Sequence, residues 1–406
     1  MTQAFNLSQL ANNLNSSGQL DGSDGLFNAV PPANGGTGLT TLGAAGNMLI
    51  ATDPSTLAAV TMPTFGFKNR IINGAMMIDQ RNAGASVTPT TSTDGYPVDR
   101  FAVTVSQNSK LTAQQNAGGL TGTNLPVGFQ NYLGVTSSSA YSVSSSDVFA
   151  IYHRIEGFNF ADMQWGTANA KTITLSFQVY SSLTGTFGGA LRNAASNRSY
   201  PFTYTISAAN TWTSISITIA GDTSGTWVGA TNGIGLQLWI GLGVGSTASG
   251  AAGSWAGANY TSATGATSVV GTNGATFYIT GVQLEKGSTA TSFDYRPYGT
   301  ELALCQRYFY QGVPPISGYV DQSNGSYWGM TGSLPITMRS APTVTLVSNL
   351  SAYASGAVAT VNALTGQENS TQVLSLFGTF SSAQTSNRPV IMRGSGGGAI
   401  AATSEL

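Results

Sequence analysis

Charged residues are scarce in this sequence. Only 8% of the 406 residues are Asp, Glu, Lys or Arg, whereas soluble domains average about a quarter. The formal net charge is −1, so the chain has no broad electrostatic attraction to nucleic acid or to an anionic membrane. We therefore expect no nucleic-acid partner.

Cysteine and histidine occur once each. Because Cys305 is the single cysteine, the chain cannot form an intrachain disulfide. Cys305 and His153 together are too few Cys and His ligands for an ordinary zinc site. Cys305 lies on the apolar side of a predicted helix, and His153 shares the alternation of Phe149 and Ile151. We expect both side chains to be buried, with His153 hydrogen-bonded in the core. No metal and no cofactor are predicted, and a structural calcium ion stays open.

Long apolar runs and leader segments are also missing. The chain has no run of about eighteen apolar residues, the length that indicates a membrane-spanning helix. Its N-terminus lacks a basic region followed by an apolar one, which is the pattern of a secretory signal. We expect no membrane insertion and synthesis in the cytoplasm.

The small number of acidic residues, 16, limits the catalytic options. Hydrolysis of a glycan requires two carboxyl groups, either about 5 Å or about 6.5–9.5 Å apart. Asp99 is adjacent to Arg100 and is predicted to form an ion pair with it, and Glu156 has no second carboxylate at strand spacing. We predict a surface or ion-paired role for Glu156 and no catalytic residue, so the chain is not expected to be an enzyme.

Glycine is abundant, at 51 residues, and 41% of the chain is apolar. Low net charge with this apolar content argues against disorder and favours uncharged β-strands joined by glycine turns. Apolar residues alternate with Ser and Thr, as in half-buried antiparallel strands, over Phe101–Val105, Ile173–Val179, Tyr200–Ile206, Ile215–Ile219 and Ile234–Leu242. This pattern predicts an all-β fold in which two sheets pack as a β-sandwich or jelly roll.

A change of phase ends this alternating region. Phe277 and Ile279 share one face with Val282 and Leu284 only if Gly281 shifts the alternation by one residue. One glycine with a one-residue shift is the sequence pattern of a β-bulge.

Beyond residue 299 the period becomes helical. Leu302, Cys305, Gln306 and Phe309 recur at helical spacing and predict a short helix, after which β-rich sequence continues. We therefore predict a sandwich over residues 66–298 and a small β-rich C-terminal domain over residues 299–406.

Residues 1–65 do not have the pattern of an independent globule. The apolar residues between Phe5 and Leu14 predict a short helix that is marginal alone, and short strands are predicted at Met48–Ile50 and Leu57–Val60. We interpret this part as an attachment and shaft segment in which three copies meet. A frayed terminal helix is the alternative.

Aromatic rings beside amide groups indicate a sugar-binding site. A ring stacks on the apolar face of a sugar, while amides and hydroxyls bond its hydroxyl groups. Trp239 falls on the polar, glycine-bordered face of its predicted strand and should be accessible there. The candidate carbohydrate-binding residues are Trp239, Gln237, Tyr180, Gln178, Trp255, Tyr260 and Trp165. For each of them, the alternative is packing under a loop or against a neighbouring subunit.

Several segments resemble a known protein family. Ile279–Phe309 reads ITGVQLEKGSTATSFDYRPYGTELALCQRYF, Asn69–Ala85 reads NRIINGAMMIDQRNAGA, and Ala33–Gly38 reads ANGGTG. With Asp99-Arg100-Phe101, these segments resemble parts of bacteriophage and prophage tail-fibre proteins. The block between them resembles the carbohydrate-binding β-sandwich modules of phage fibres. The motifs are specific to this group of viral proteins but name no ligand.

The resemblance implies an intertwined homotrimer in a virion, with its N-terminal segment joined to phage tail or other virion proteins. Together with the aromatic candidates, it predicts a tail fibre that adheres to a host surface polysaccharide or lipopolysaccharide without catalysis. Two alternatives stay open. A tailspike-type polysaccharide depolymerase would need an acidic pair, and a purely structural head or neck fibre would bind no glycan.

Overall fold

The chain divides into two compact units, 1–67 and 68–406. The computed structural model describes residues 47–53, 56–61, 68–320, 328–348, 350–354, 357–366, 369–381, 388–394 and 400–406. In the first unit, β1 (Asn47–Asp53) and β2 (Thr56–Thr61) form an antiparallel pair, which confirms the two short strands predicted there. The predicted N-terminal helix and the ANGGTG element lie outside the described residues.

Two antiparallel sheets form most of the second unit. Their strands are β3 (Gly95–Val98), β4 (Phe101–Thr104), β5 (Leu111–Gln115), β6 (Leu133–Ser137), β7 (Val148–Glu156), β8 (Ile173–Ser181), β9 (Gly185–Arg192), β10 (Ser199–Ile206), β11 (Thr213–Ile219) and β12 (Ile234–Val244), then the short parallel pair β13 (Ser249–Gly250) and β14 (Ser262–Ala263), and finally β15 (Thr276–Lys286). One sheet has the order β10-β9-β12-β7-β4-β3 and the other β11-β8-β15-β6-β5. The predicted all-β sandwich is confirmed.

Alternation along the strands builds the core between the two sheets. Leu175 and Phe177 of β8 belong to the same buried cluster as Leu238 and Ile240 of β12. Removing each such side chain from water contributes roughly 1.5–3 kcal/mol. The residues between them point away from the core, so each sheet also presents an outer face.

Strand β15 contains the predicted bulge. Its pairing with β8 shifts register around Gly281, which has a φ of +62°. Phe277, Ile279, Val282 and Leu284 are all buried in the core. The glycine therefore supplies the left-handed backbone that keeps the apolar residues on one face across the shift.

The helix predicted after the sandwich is present as α1 (Tyr298–Gln306). It ends before Phe309, which lies in a strand rather than on the helix as expected. Cys305 is fully buried, as predicted, and burial raises the pKa of its thiol well above the usual value. No helix within the described ranges is long and apolar enough to cross a membrane.

The C-terminal region is again made of strands, which are β16 (Phe309–Gly312), β17 (Ile316–Val320), β18 (Trp328–Ser333), β19 (Thr343–Leu346), β20 (Leu350–Ala354), β21 (Ala357–Gly366), β22 (Val373–Phe380), β23 (Pro389–Gly394) and β24 (Ile400–Thr403). Strands β17-β18-β22-β21-β20-β23 close into a barrel, and β16-β24-β19 form a small sheet. Leu374, Leu376 and Met392 contribute to a second apolar cluster in this region. The predicted domain boundary at residue 298 stays a prediction.

The predicted Asp99–Arg100 ion pair is wrong. Arg100 lies in the turn between β3 and β4 with a φ of +71°, and each of the two side chains has another ionic partner. Arg81 pairs with Asp99 at 3.3 Å and with Glu405 at 2.8 Å, while Arg100 pairs with Glu405. The two neighbours in sequence therefore have different ionic partners, and residues more than 300 positions apart meet.

Glu156 is ion-paired, as predicted. Its carboxylate accepts hydrogen bonds from Arg307 at 2.6 and 2.8 Å and from the Tyr308 hydroxyl at 2.7 Å. Burial alone would raise the pKa of Glu156, but these hydrogen bonds lower it below its usual value. The carboxylate therefore serves as a buried anchor for the chain that follows α1.

His153 is a core residue, as predicted. Its Nε2 lies 3.2 Å from the carbonyl oxygen of Ile72, and its ring lies 4.8 Å from that of Phe101. Burial, and then the charge of Arg100, lower the pKa of His153 well below the usual value. The imidazole is therefore neutral at physiological pH.

Asp99 makes stability depend on pH. Burial raises its pKa to about 6, although it accepts hydrogen bonds from Gln80 and Arg81. Because the pKa of Asp99 is higher in the folded than in the unfolded protein, its carboxyl group contributes stability while it is protonated. This contribution is complete below about pH 4 and is lost as the pH rises through about 6. We expect the free energy of unfolding, measured relative to Asp99→Asn by urea denaturation, to fall by about 1–3 kcal/mol between pH 4 and 6.5. A difference that stays constant or rises contradicts this.

Candidate functional site

A groove of about 540 Å³ crosses the outer face of the five-stranded sheet. Side chains that alternate with the core residues of β8 and β11 form its floor: Ser176 and Gln178 from β8, and Ser214 and Ser216 from β11. All of the described residues that line the groove are uncharged: Val127, Gly128, Phe129, Ser176, Phe177, Gln178, Ser214, Ile215, Ser216, Gly281, Ala290, Thr291, Ser292, Phe293 and Tyr295. The floor is therefore a neutral surface of hydroxyl and amide groups.

Three aromatic rings, which we call the aromatic wall, stand beside this floor. Phe129 lies 5.1 Å from Phe293 and 5.5 Å from Tyr295, and the last two are 4.8 Å apart, all as ring centroids. Tyr295 is 52% exposed. The wall thus presents apolar ring surface next to polar groups.

Two glycines allow the wall to pack as it does. A Cβ on Gly281 would lie 2.6 Å from the Phe129 ring, and one on Gly128 would lie 2.3 Å from the Tyr295 hydroxyl. Both glycines have positive φ, at +62° and +88°. The bulge in β15 therefore does two things, since it restores the core alternation and leaves room for Phe129.

The loop that carries Phe293 and Tyr295 is anchored by buried residues of β15. Glu285 accepts hydrogen bonds from the Thr291 backbone N–H at 2.9 Å and from its hydroxyl at 2.7 Å. Gln283 accepts one from the Asp294 backbone N–H at 2.8 Å and donates to Glu285 at 2.9 Å. Because both residues follow the bulge, the register shift also fixes the loop of the wall.

Gln178 offers an unused donor to the groove. Its Oε1 accepts a hydrogen bond from the Ser214 hydroxyl at 2.8 Å, which holds the amide in one orientation. Within the described residues, the Gln178 amide nitrogen has no protein acceptor. A ligand hydroxyl in the groove can take that position.

Tyr180, two residues along β8, belongs to an adjoining aromatic row. It stacks on Tyr278 at 5.2 Å with 6° between the planes, and it lies 5.5 Å from Trp212. The Trp212 indole donates to the Asn124 carbonyl oxygen at 2.8 Å. Tyr180 is thus half-buried on the same outer face as Gln178, and these two candidates are brought together.

Trp239 and Gln237 lie on the opposite sheet, and the expected accessibility of Trp239 is wrong. Trp239 is only 7% exposed, because its ring stacks on Tyr152 at 4.8 Å and the Arg192 guanidinium lies 4.3 Å above it. Gln237 is buried and donates to the Asn193 carbonyl oxygen at 2.9 Å. Burial, and then the charge of Arg154, lower the pKa of Arg192 to about 10.

The remaining candidates lie away from the groove. Trp165 is buried and packs against the half-buried Trp255 at 5.0 Å. Tyr260 is half-buried and covers Gly250, where a Cβ would lie 2.3 Å from the Tyr260 ring. The seven candidates therefore fall into separate groups, and only Gln178 and Tyr180 are at or beside the groove.

Sequence reasoning missed most of the groove. Ser214 and Ser216 carried a usable signal, because they alternate with the isoleucines of the predicted strand. Phe293 and Tyr295 follow the bulged strand as a dense aromatic segment. Phe129 carried no such signal, since it reaches the wall only by packing on a glycine 152 positions later, at residue 281.

None of the described residues that line the groove is a His, Cys, Asp, Glu, Lys or Arg. His153 and Glu156 are buried elsewhere, as described above. Among the described residues, no group of three or more His, Cys, Asp and Glu side chains could hold a metal ion. What the groove offers is hydrogen bonding and stacking.

Comparison with solved structures gives distant structural neighbours. No protein-family model and no curated protein matches the chain. The enzymatically active domain of bacteriophage CBA120 tailspike protein 4 matches at 8% identity with a TM-score of 0.29, covering 54% of this chain and 21% of that chain. The family 11 carbohydrate-binding module of Clostridium thermocellum, in complex with a β-1,3-1,4-mixed-linked tetrasaccharide, matches at 9% identity with a TM-score of 0.25, covering 52% of this chain and 100% of the module.

A third neighbour is TmCBM61 in complex with β-1,4-galactotriose, at 7% identity and a TM-score of 0.24, covering 46% of this chain and 88% of that chain. The chain thus spans about a fifth of the tailspike structure and most or all of the two modules. Identities and scores this low assign neither a ligand nor a reaction to the chain.

Gly281→Ala tests the role of the bulge. The added Cβ meets Phe129 at 2.6 Å in a left-handed backbone, so we expect a loss of about 1–3 kcal/mol in the free energy of unfolding, measured by urea denaturation. Gly299→Ala in α1 is the matched control, because nothing lies within 4 Å of its added Cβ and alanine favours a helix. Equal effects of the two substitutions would contradict the role given to Gly281.

Proposed function

We propose that the chain is a phage tail fibre that binds a bacterial surface glycan in the groove without catalysis. The observation that carries the proposal is the neutral hydroxyl and amide floor beside the aromatic wall. A sugar has an apolar C–H face that stacks on a ring and hydroxyl groups that pair with amides. The uncharged lining favours a neutral stretch of a host polysaccharide or lipopolysaccharide over an acidic one.

The sequence resemblance is what supports a fibre rather than another glycan-binding protein. It covers the segments on both sides of the sandwich as well as the ANGGTG element. On this proposal, the N-terminal segment joins the chain to the phage tail or to other virion proteins, and the mature protein is located in the virion. A tailspike depolymerase is less well supported, because the described groove lining contains no carboxylate.

Binding to host polysaccharide tests the groove. Tyr295→Ala removes the most exposed ring of the wall, and we expect about tenfold weaker binding, since one aromatic contact contributes about 0.5–1.5 kcal/mol beyond its buried area. Purified fragments of host polysaccharide, titrated calorimetrically against the full chain, measure this. Sugar release should stay absent throughout.

Tyr298→Ala is the matched control. Tyr298 is 58% exposed, close to the 52% of Tyr295, but it lies at the start of α1 outside the groove lining. It should bind like the unaltered protein. No glycan binding by the unaltered chain would favour a purely structural fibre, and reducing ends appearing in the mixture would favour a depolymerase.

A homotrimer is the second part of the proposal. Exposed apolar side chains form a row across the outside of the C-terminal barrel, where Ile391 pairs with Tyr353 and Tyr353 pairs with Val358. These residues are 49%, 40% and 57% exposed. In a chain with 8% charged residues, sister copies are the partner that we propose for this row. Three copies would also give three glycan sites, and so avidity.

The oligomeric state tests the trimer. Sedimentation at micromolar concentration should give the mass of three 41.7 kDa chains. Ile391→Glu would place a charge in the row, and we expect it to shift the population towards monomers. Val373→Glu is the control, because Val373 is 43% exposed but lies on β22, outside the row. A monomeric unaltered protein would overturn the proposal.

A further inference from the structure

We propose that a second cleft, at the tryptophan end of the sandwich, binds a short neutral saccharide. The cleft has a volume of about 420 Å³, within the range of roughly 300–1,000 Å³ common for small-ligand sites. It shares no lining residue with the groove. The residues that line it are Phe160, Ala161, Gln164, Trp165, Thr167, Asn169, Trp227, Val228 and Gly229.

Three tryptophans, Trp165, Trp227 and Trp255, pack together at the cleft and are called the tryptophan cluster. The ring centroids of Trp165 and Trp227 lie 4.8 Å apart, those of Trp165 and Trp255 5.0 Å, and those of Trp227 and Trp255 5.5 Å. Interplanar angles of 78–85° make all three contacts edge-to-face. Trp165 is buried against the core, while Trp227 is half-buried and reaches the cleft.

The indole N–H groups of the cluster all have partners inside the protein. Trp165 donates to the Lys171 carbonyl oxygen at 2.7 Å, and Trp255 donates to that of Ala220 at 2.8 Å. Trp227 lies 3.2 Å from a carboxylate oxygen of Asp222. Ring carbon is therefore what the cluster presents to the cleft, and ring carbon suits the apolar face of a sugar.

Two amides at the cleft supply the polar half of the site. Gln164 and Asn169 are exposed, and within the described residues neither side-chain amide has a hydrogen-bond partner. Gln164 also has a left-handed backbone, with φ 55° and ψ 30°, a conformation that favours glycine or asparagine. Both amides are therefore available to bond the hydroxyl groups of a sugar.

Two acidic residues near the cleft are paired with arginines. Asp162 pairs with Arg70 at 2.8 Å, and Asp222 pairs with Arg198 at 2.6 Å. None of the described lining residues is itself charged. The described lining itself therefore offers an acidic sugar no cation, and it fits a neutral one. This inference does not require that the groove bind a glycan.

Fluorine NMR of the full chain, labelled with 5-fluorotryptophan, tests the inference. Trp227 reports on the cleft, and Trp212, 5.5 Å from Tyr180, reports on the face that carries the groove. The resonances are assigned with Trp→Phe variants. The probes are maltotriose, cellotriose, mannotriose, chitotriose and β-1,4-galactotriose, with trigalacturonate as the acidic comparison. We expect at least one neutral trisaccharide to shift the Trp227 resonance saturably and the acidic one to leave it unchanged.

Gln164→Gly separates ligand binding from structure. Glycine suits the left-handed backbone, so we expect the melting temperature to stay or rise while the dissociation constant read from Trp227 increases about fivefold to tenfold, as for one lost hydrogen bond. Asn169→Ala should weaken binding similarly. Ser109→Gly is the matched control, an exposed left-handed residue (φ 59°) that does not line the cleft. Its melting temperature should likewise stay or rise, but its dissociation constant should not change.

Each outcome decides one proposal separately. Shifts of Trp212 with no shift of Trp227 across all neutral probes would support the groove and overturn the cleft. A shift of the Trp227 resonance with no shift of Trp212 would support saccharide binding in the cleft and argue against binding in the groove. No shift of Trp227 with any neutral probe at 10 mM, or affinities unaltered in both amide variants, overturns the inference.

Discussion

The register shift at Gly281 is the constraint on which the rest of the sandwich depends. A strand that buries one face needs strict alternation, and one extra residue would send every later apolar side chain to the wrong side. The bulge absorbs that residue, so Val282 and Leu284 stay in the core. The same shift turns Gln283 and Glu285 outward, where they hold the loop of the aromatic wall. One glycine thus links the packing of the core to the shape of the groove.

Both sheets alternate core residues with outward residues, but their outer faces differ in what covers the outward side chains. On the six-stranded sheet, large residues of neighbouring strands stack over the outward tryptophan, Trp239, and close that face. On the five-stranded sheet, the floor residues of the groove are serine and glutamine, and the aromatic wall stands beside them. Small polar side chains on adjacent strands are therefore what leaves a face open to a ligand.

The chain has few carboxylates, and several of them form buried ion pairs and hydrogen bonds. Glu156 and Asp99 are buried with hydrogen-bonding partners, and Glu405 pairs with two arginines. Breaking such a buried pair leaves an uncompensated charge and costs about 3–5 kcal/mol. These contacts connect the sandwich to the segments that follow α1 and β24. The groove and the cleft are then built from neutral groups.

Periodicity along the chain was enough to predict the sandwich, the bulge and the short helix, because the alternation of apolar residues is set by local backbone geometry. It was also enough to predict burial of Cys305 and His153. What covers an outward side chain depends on strand order, and that is why the sequence could not show that Tyr152 and Arg192 close over Trp239. Tertiary structure alone brought Phe129 onto Gly281 and the tryptophans together, since residues distant in sequence become neighbours only when loops pack against the folded sheets.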